Sequence, residues 1–183
     1  MKSVAVFLID GFEEVEALTT VDILRRGGVD VTVVSLMGRG DVLSKHDISV
    51  KADALFDDVK GRPFDMLVVP GGTRDYVKHS GLMELTKKYA AEKKLVAAIC
   101  AAPTVLAEIG VLKGKRAVCY PGMEDWLKDG GAVVGKEIVE TDGNITTAKG
   151  PAVTPFFALR LLKVLEGKAK AEEVANGFLI PLI

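Results

Sequence analysis

The stretch Leu95-Val-Ala-Ala-Ile-Cys-Ala-Ala-Pro-Thr-Val-Leu-Ala-Glu-Ile-Gly110 decides the architecture of this chain. Leu95–Ile99 reads as a buried strand, and the residues after Cys100 read as a helix that ends at Gly110. A turn this sharp lifts one side chain clear of the sheet. It aims that side chain at the first free N–H groups of the helix, whose partial positive charge favours a thiolate over a thiol. Nucleophile-elbow hydrolases present a serine in the same way. Cys100 is therefore the expected centre of the chemistry.

Working outward, apolar runs alternate with helical periodicity. Strands are expected at Val4–Ile9, Val29–Ser35, Met66–Val69 and Arg116–Cys119. A helix over Glu13–Arg26 would turn Ala17, Leu18, Val21 and Leu24 to the core and close at Gly27-Gly28. Val42–Val50 holds two short alternating pieces that suit a hairpin. Glu137–Thr141 and Asn144–Ala148 flank Asp142-Gly143, a strong hairpin turn. Further helices are expected over Leu82–Lys93, Gly122–Lys128, Phe156–Leu165 and Ala171–Asn176. The alternation predicts an α/β fold with a mostly parallel sheet, as one domain over residues 1–183. Ligands of such sheets bind beyond the carboxyl ends of the strands. Three turns converge there: Asp10–Glu14, Pro70–Thr73 and Ile99–Ala101.

Bulk properties narrow the function. The 183 residues are 49% apolar and 27% charged, with a formal charge of −1, so no electrostatic footprint for nucleic acid is present. No apolar run approaches the roughly 18 residues that cross a bilayer. The N-terminal run Val4–Ile9 is followed at once by Asp10, Glu13 and Glu14, which suits a first strand and not a signal peptide. Two cysteines without metal-type spacing point to a reducing compartment, the cytoplasm. No metal-ligand spacing, phosphate-binding loop or dinucleotide motif occurs, so neither a metal nor another cofactor is expected.

Each candidate has a plain alternative. A lone cysteine is usually an inert buried side chain, and only its place at the elbow singles out Cys100. Cys119 lies in a strand with no helix behind it. Glu16 is either a solvated carboxylate favoured by the helix N-terminus or a carboxyl near the sulfur that moves a proton. On a helical wheel it falls away from the core face, and Glu13 and Glu14 compete for its role. Gly71-Gly72 is either a plain turn or a source of a backbone N–H for an oxyanion beside that of Ala101. His46 and His79 read as surface residues.

Gly11-Phe-Glu-Glu-Val-Glu-Ala17, Val68-Val-Pro-Gly-Gly72, Ala97-Ala-Ile-Cys-Ala-Ala-Pro-Thr104 and Lys149-Gly-Pro151 together resemble the signatures of the ThiJ/PfpI superfamily. The likeness runs along nearly the whole chain and is greatest to the subgroup of the parkinsonism-associated deglycase and its bacterial relatives. It implies a flavodoxin-like three-layer sandwich, a homodimer and no cofactor. Carried over by position, Cys100 matches the reactive cysteine and Glu16 its hydrogen-bonding glutamate. Gly72 and Ala101 match the backbone donors, and Asp22, Arg25 and Arg26 fall at the dimer contacts.

Two departures stand out. Superfamily members with protease-like chemistry commonly carry a histidine directly after the cysteine, where this chain has Ala101. A further histidine near the cysteine is matched here by Tyr120, a possible pocket residue, so a Cys–His–acid triad lacks its histidine. His46 stands where the family often has an arginine that reaches across the dimer. The resemblance thus implies a Cys100-dependent enzyme acting on a small carbonyl substrate, an α-oxoaldehyde or its early protein adduct. A redox sensor or stress chaperone is the alternative reading, and a protease or amidase a remoter one.

Overall fold

In the computed structural model, which describes residues 1–180, the elements follow in the order β1 (Ser3–Leu8), α1 (Glu14–Arg26), β2 (Asp30–Ser35), β3 (Asp41–Leu43), β4 (Ser49–Lys51), β5 (Ala54–Leu55), α2 (Phe56–Val59) and β6 (Met66–Val69). Then come α3 (Ser80–Ala91), β7 (Leu95–Ile99), α4 (Ala102–Glu108), β8 (Arg116–Ala117), α5 (Glu124–Asp129) and β9 (Val133–Val134). The chain closes with β10 (Val139–Asp142), β11 (Ile145–Ala148), α6 (Thr154–Glu166) and α7 (Lys168–Gly177).

A seven-stranded sheet in the order β10-β11-β7-β6-β1-β2-β5 forms the middle layer. All its pairings are parallel except the β10–β11 hairpin. Its central strands are apolar on both faces, as a sheet covered by helices on each side requires. Val4, Val6 and Leu8 of β1, Met66 and Val68 of β6, and Ala97 and Ile99 of β7 face one core, which also takes in residues of α1, α6 and α7. Ala5 and Phe7, Leu67 and Val69, and Val96 and Ala98 face the other, with residues of α2, α3 and α4. The three-layer sandwich expected from the sequence is the observed fold. Among the described residues, no helix is long and apolar enough to cross a membrane.

Two local expectations are corrected. Leu18 is not in the core but 40% exposed. The inner face of α1 is instead Glu16, Ala17, Thr20, Val21, Ile23 and Leu24, because the helix is rotated to bring a carboxylate inward. Arg116–Cys119 does not extend the main sheet; only Arg116 and Ala117 pair, with Val133 and Val134. Beyond them, Val118 N–H donates to Thr147 Oγ1 at 3.0 Å and Tyr120 N–H to the Cys100 carbonyl at 2.8 Å. These bonds fasten the segment to a side chain of β11 and to the Cys100 turn, without a strand ladder. The edge strand β5 and the helix α2, of two and four residues, carry too little periodicity to be seen in sequence.

Candidate active site

β1, β6 and β7 lie side by side, and the sheet order runs outward from β1 in both directions, through β2 on one side and β6 on the other. Their carboxyl ends therefore meet at the switch point of the sheet, where crevices form. α1 after β1 supplies Glu16, the turn after β6 supplies Gly71 and Gly72, and the turn after β7 supplies Cys100.

Cys100 adopts φ +65°, a left-handed conformation that costs a residue with a Cβ about 1–2 kcal/mol. Both flanks hold it there: its N–H donates to the Ala148 carbonyl at 2.9 Å, and its carbonyl accepts from Tyr120 N–H at 2.8 Å. This is the strained elbow expected from the strand-to-helix junction. The helix itself starts at Ala102, one residue later than expected, with Ala101 as its cap. The backbone N–H groups of Gly72 and Ala101 hydrogen-bond to the sulfur, so the two predicted donors converge on the reacting atom.

Glu16 is fully buried, which overturns its reading as a solvated carboxylate. Its Oε2 accepts the Gly71 N–H at 2.7 Å. Its Oε1 is buried with no hydrogen-bond partner among the described residues, and the Cys100 thiol beside this carboxyl pulls its pKa down. Gly71 thus serves Glu16 and not an oxyanion. A Cβ at Gly71 would fall 2.6 Å from Cys100 Cβ and 2.7 Å from Glu16 Oε2. Only a glycine lets sulfur and carboxyl close over this turn.

Burial raises Glu16 to about 7, against the lowering pull of its bonds to Cys100 and Gly71. Burial, and then the charge and hydrogen bond of Glu16, push Cys100 up to about 12, against the opposing pull of the Gly72 and Ala101 N–H groups. Between these values the pair holds one proton. The proton sits on sulfur beside a carboxylate, or on the carboxyl beside a thiolate. The free-standing thiolate expected from the helix N-terminus is therefore corrected. Sulfur is ionised when Glu16 takes its proton.

The other two glutamates are committed elsewhere. Glu13 Oε2 caps α1 by accepting Glu16 N–H at 2.7 Å, and Glu14 Oε1 lies 2.7 Å from His46 Nδ1. The fold gathers Glu13, Glu14 and His46 so that one ligand atom of each lies within 4.8 Å of the others, a grouping their sequence spacing does not reveal. His46 is exposed as expected, whereas His79 is half-buried, accepts Leu82 N–H at 3.0 Å and packs edge-on to Phe56. Cys119 is buried, and burial also raises its thiol to about 12.

A cavity of about 450 Å³ opens over Cys100, with Gly72, Ala101 and Tyr120 in its wall. Lys45, Thr73, Arg74, Met123 and Pro151 also line it; the sequence marked Thr73 in the Pro70–Thr73 turn and Pro151 in the Lys149-Gly-Pro151 match, and gave Lys45, Arg74 and Met123 no place in the site. Lys45, Arg74 and Met123 lie far apart in the chain, and no local pattern signals their convergence. Asp22 and Arg26 pair with each other at 3.0 Å, and Arg25 pairs with Asp53 at 2.8 Å.

The sequence matches the DJ-1/PfpI family over residues 2–164. It is 39% identical to protein dj-1beta of Drosophila melanogaster over 182 residues, covering 98% of this chain and 97% of the relative. It is 33% identical to the Parkinson disease protein 7 homolog of Danio rerio, covering 94% of each chain. The crystal structure of Drosophila melanogaster DJ-1beta superposes with a TM-score of 0.92 over 97% of both chains. That of oxidized Toxoplasma gondii DJ-1, 34% identical, does so with 0.93 over 98% of both. Matched by the family model over most of its length and 39% identical to a relative that it covers to 97%, the chain belongs to the DJ-1/PfpI family.

Proposed function

We propose that this chain is a cofactor-independent cysteine enzyme acting on small α-oxoaldehydes, in the manner of a glyoxalase, or on their early adducts with proteins, in the manner of a deglycase. The observation that carries the reading is the geometry of the elbow: Cys100, held at φ +65° in the pocket wall, stands across Gly71 from the buried Glu16 carboxyl. Glu16 takes the thiol proton, and the sulfur attacks the aldehyde carbon of a substrate such as methylglyoxal. The C–S bond forms as the carbonyl π pair moves to oxygen, where the Gly72 and Ala101 N–H groups stabilise the developing charge. Glu16 returns the proton to this oxygen, which gives a hemithioacetal and restores the Glu16 carboxylate. Glu16 then moves a proton from the former aldehyde carbon to its neighbour, leaving a thioester of the hydroxy acid. Water cleaves the thioester, releasing lactate and restoring the thiol, so that one water is taken up per methylglyoxal.

The test is lactate formation from methylglyoxal by the purified protein and by Cys100→Ala. The parent is expected to turn over with kcat/KM rising through pH about 7 and then levelling, because below that value Glu16 is already protonated and cannot accept the thiol proton. A parent no faster than Cys100→Ala contradicts the reading.

One observation favours a second role for the same sulfur: a similar structure is of an oxidized DJ-1. Two equivalents of peroxide would convert the Cys100 thiolate to a sulfinate with release of two waters. Selective gain of two oxygens at Cys100, not at buried Cys119, under mild peroxide supports a sensor; equal oxidation of both argues against it. Our reading also includes a homodimer, consistent with the apolar outer side of α1, where Val15 and Leu18 are exposed.

A further inference from the structure

The charged groups in the pocket wall are unequal in sign and in freedom. Besides Cys100 and the Tyr120 phenol, four acidic or basic side chains line it: Glu13, Lys45, His46 and Arg74. Glu13 is occupied as the helix cap, and His46 is paired with Glu14. Lys45 has no ion-pair partner among the described residues.

Arg74 is built in from three sides. Its Nε donates to Thr104 Oγ1 at 2.9 Å, its Nη2 to Glu108, and its guanidinium carbon stacks 3.5 Å from the centre of the Trp126 ring. Nη1 has no protein partner among the described residues. Glu108 lies outside the pocket wall, so the ion pair that holds Arg74 does not place a negative charge inside. A guanidinium fixed in this way has already lost its rotamer freedom, which makes it a low-cost anchor for an anion. A neutral three-carbon aldehyde leaves both cations unused and fills little of about 450 Å³.

Resting on the activity proposed above, we infer that the preferred substrate is an α-oxoaldehyde bearing a carboxylate at the end remote from the aldehyde. Arg74 is its fixed anchor, with Lys45 as a mobile second charge. The planar guanidinium matches a carboxylate in a way that a point charge does not. The chemistry at Cys100 is unchanged: the aldehyde end forms the hemithioacetal, the proton moves to the adjacent carbon, and one water releases the hydroxy acid.

The test compares 4,5-dioxopentanoate with 2-oxopentanal, which share chain length and reacting end and differ in the terminal carboxylate. The parent is expected to favour the anionic aldehyde by ~10-fold in kcat/KM, the scale of one charge-assisted hydrogen bond. That ratio falls toward one in Arg74→Gln and in Lys45→Gln, and it declines with added salt. Lys45 is exposed, so its variant reports even if Arg74→Gln perturbs folding. Equal kcat/KM values in the parent, or a ratio untouched by both variants, overturn the inference.

A second readout does not need turnover. Iodoacetate and iodoacetamide each alkylate Cys100 with loss of iodide and differ in charge. The ratio of their rates is expected to drop in both variants. If neither aldehyde reacts while this ratio still drops, the proposed turnover fails and the anion site stands. A ratio unchanged in both variants removes the anion site itself.

Discussion

Replacing Glu16 by glutamine is expected to stabilise the fold and remove the activity together. The unfolded chain releases this proton at the ordinary value of 4.5, and the folded chain holds it to about 7. Between these values the unfolded state binds fewer protons, so stability falls as pH rises through that window. The loss approaches ~3 kcal/mol above pH 7, taking about 1.4 kcal/mol per pKa unit. Below 4.5 both states are protonated and nothing is lost. Glutamine imitates the protonated acid, since its carbonyl can still accept the Gly71 N–H. Denaturant unfolding should therefore find Glu16→Gln more stable than the parent at pH 8, with the two converging near pH 4. Turnover of methylglyoxal should fall by ~100-fold or more, the usual contribution of a positioned acid–base group. A variant less stable at pH 8 contradicts the burial penalty as the origin of the raised value.

Gly72→Ala is expected to be the most damaging single methyl group in the site. Its φ is +92°, and a Cβ would fall 2.4 Å from both the Glu13 nitrogen and the Gly11 carbonyl oxygen. Both are backbone atoms, so no side chain can swing aside. The clash also lies on the Glu13 N–H to Gly71 carbonyl bond of 3.0 Å, which ties the start of α1 to the turn after β6. A loss of ~3 kcal/mol or more is expected from strain and overpacking combined. Thermal unfolding checks it. A change below ~1 kcal/mol would mean that the two turns are not locked together.

The parts of the site that sequence revealed are those with a local signature. Cys100 was legible because an apolar run met a helix without a linker, and Gly71-Gly72 because paired glycines followed a buried strand. Position in the chain made Glu16 a candidate beside Glu13 and Glu14, and only family likeness chose among the three. On a helical wheel it sits off the apolar stripe, and its inward turn is set by the Gly71 N–H, a partner 55 residues away. Leu18 was misplaced by the same rotation. β8 looked like another strand of the sheet because composition does not name a partner, and its onward bonds run to Thr147 and to Cys100. Lys45 and Arg74 carry no signal at all, since loop residues acquire a shared wall only when the sheet brings their loops together. The ionisation of Cys100 was misjudged for a related reason. The helix N-terminus can be read from the chain, whereas the opposing burial and the Glu16 charge exist only once it is folded.

The most direct measurement is the thiolate absorbance of Cys100 against pH, in a Cys119→Ala background so that one sulfur reports. With Glu16 present, full ionisation should be delayed toward about 12, because the second proton must leave a pair that already carries a charge. With Glu16→Gln, that charge is gone and the Gly72 and Ala101 N–H groups remain, so the titration should move clearly to lower pH. An identical curve in the two proteins would show that the carboxyl and the sulfur do not share a proton, and the proposed mechanism would lose its base.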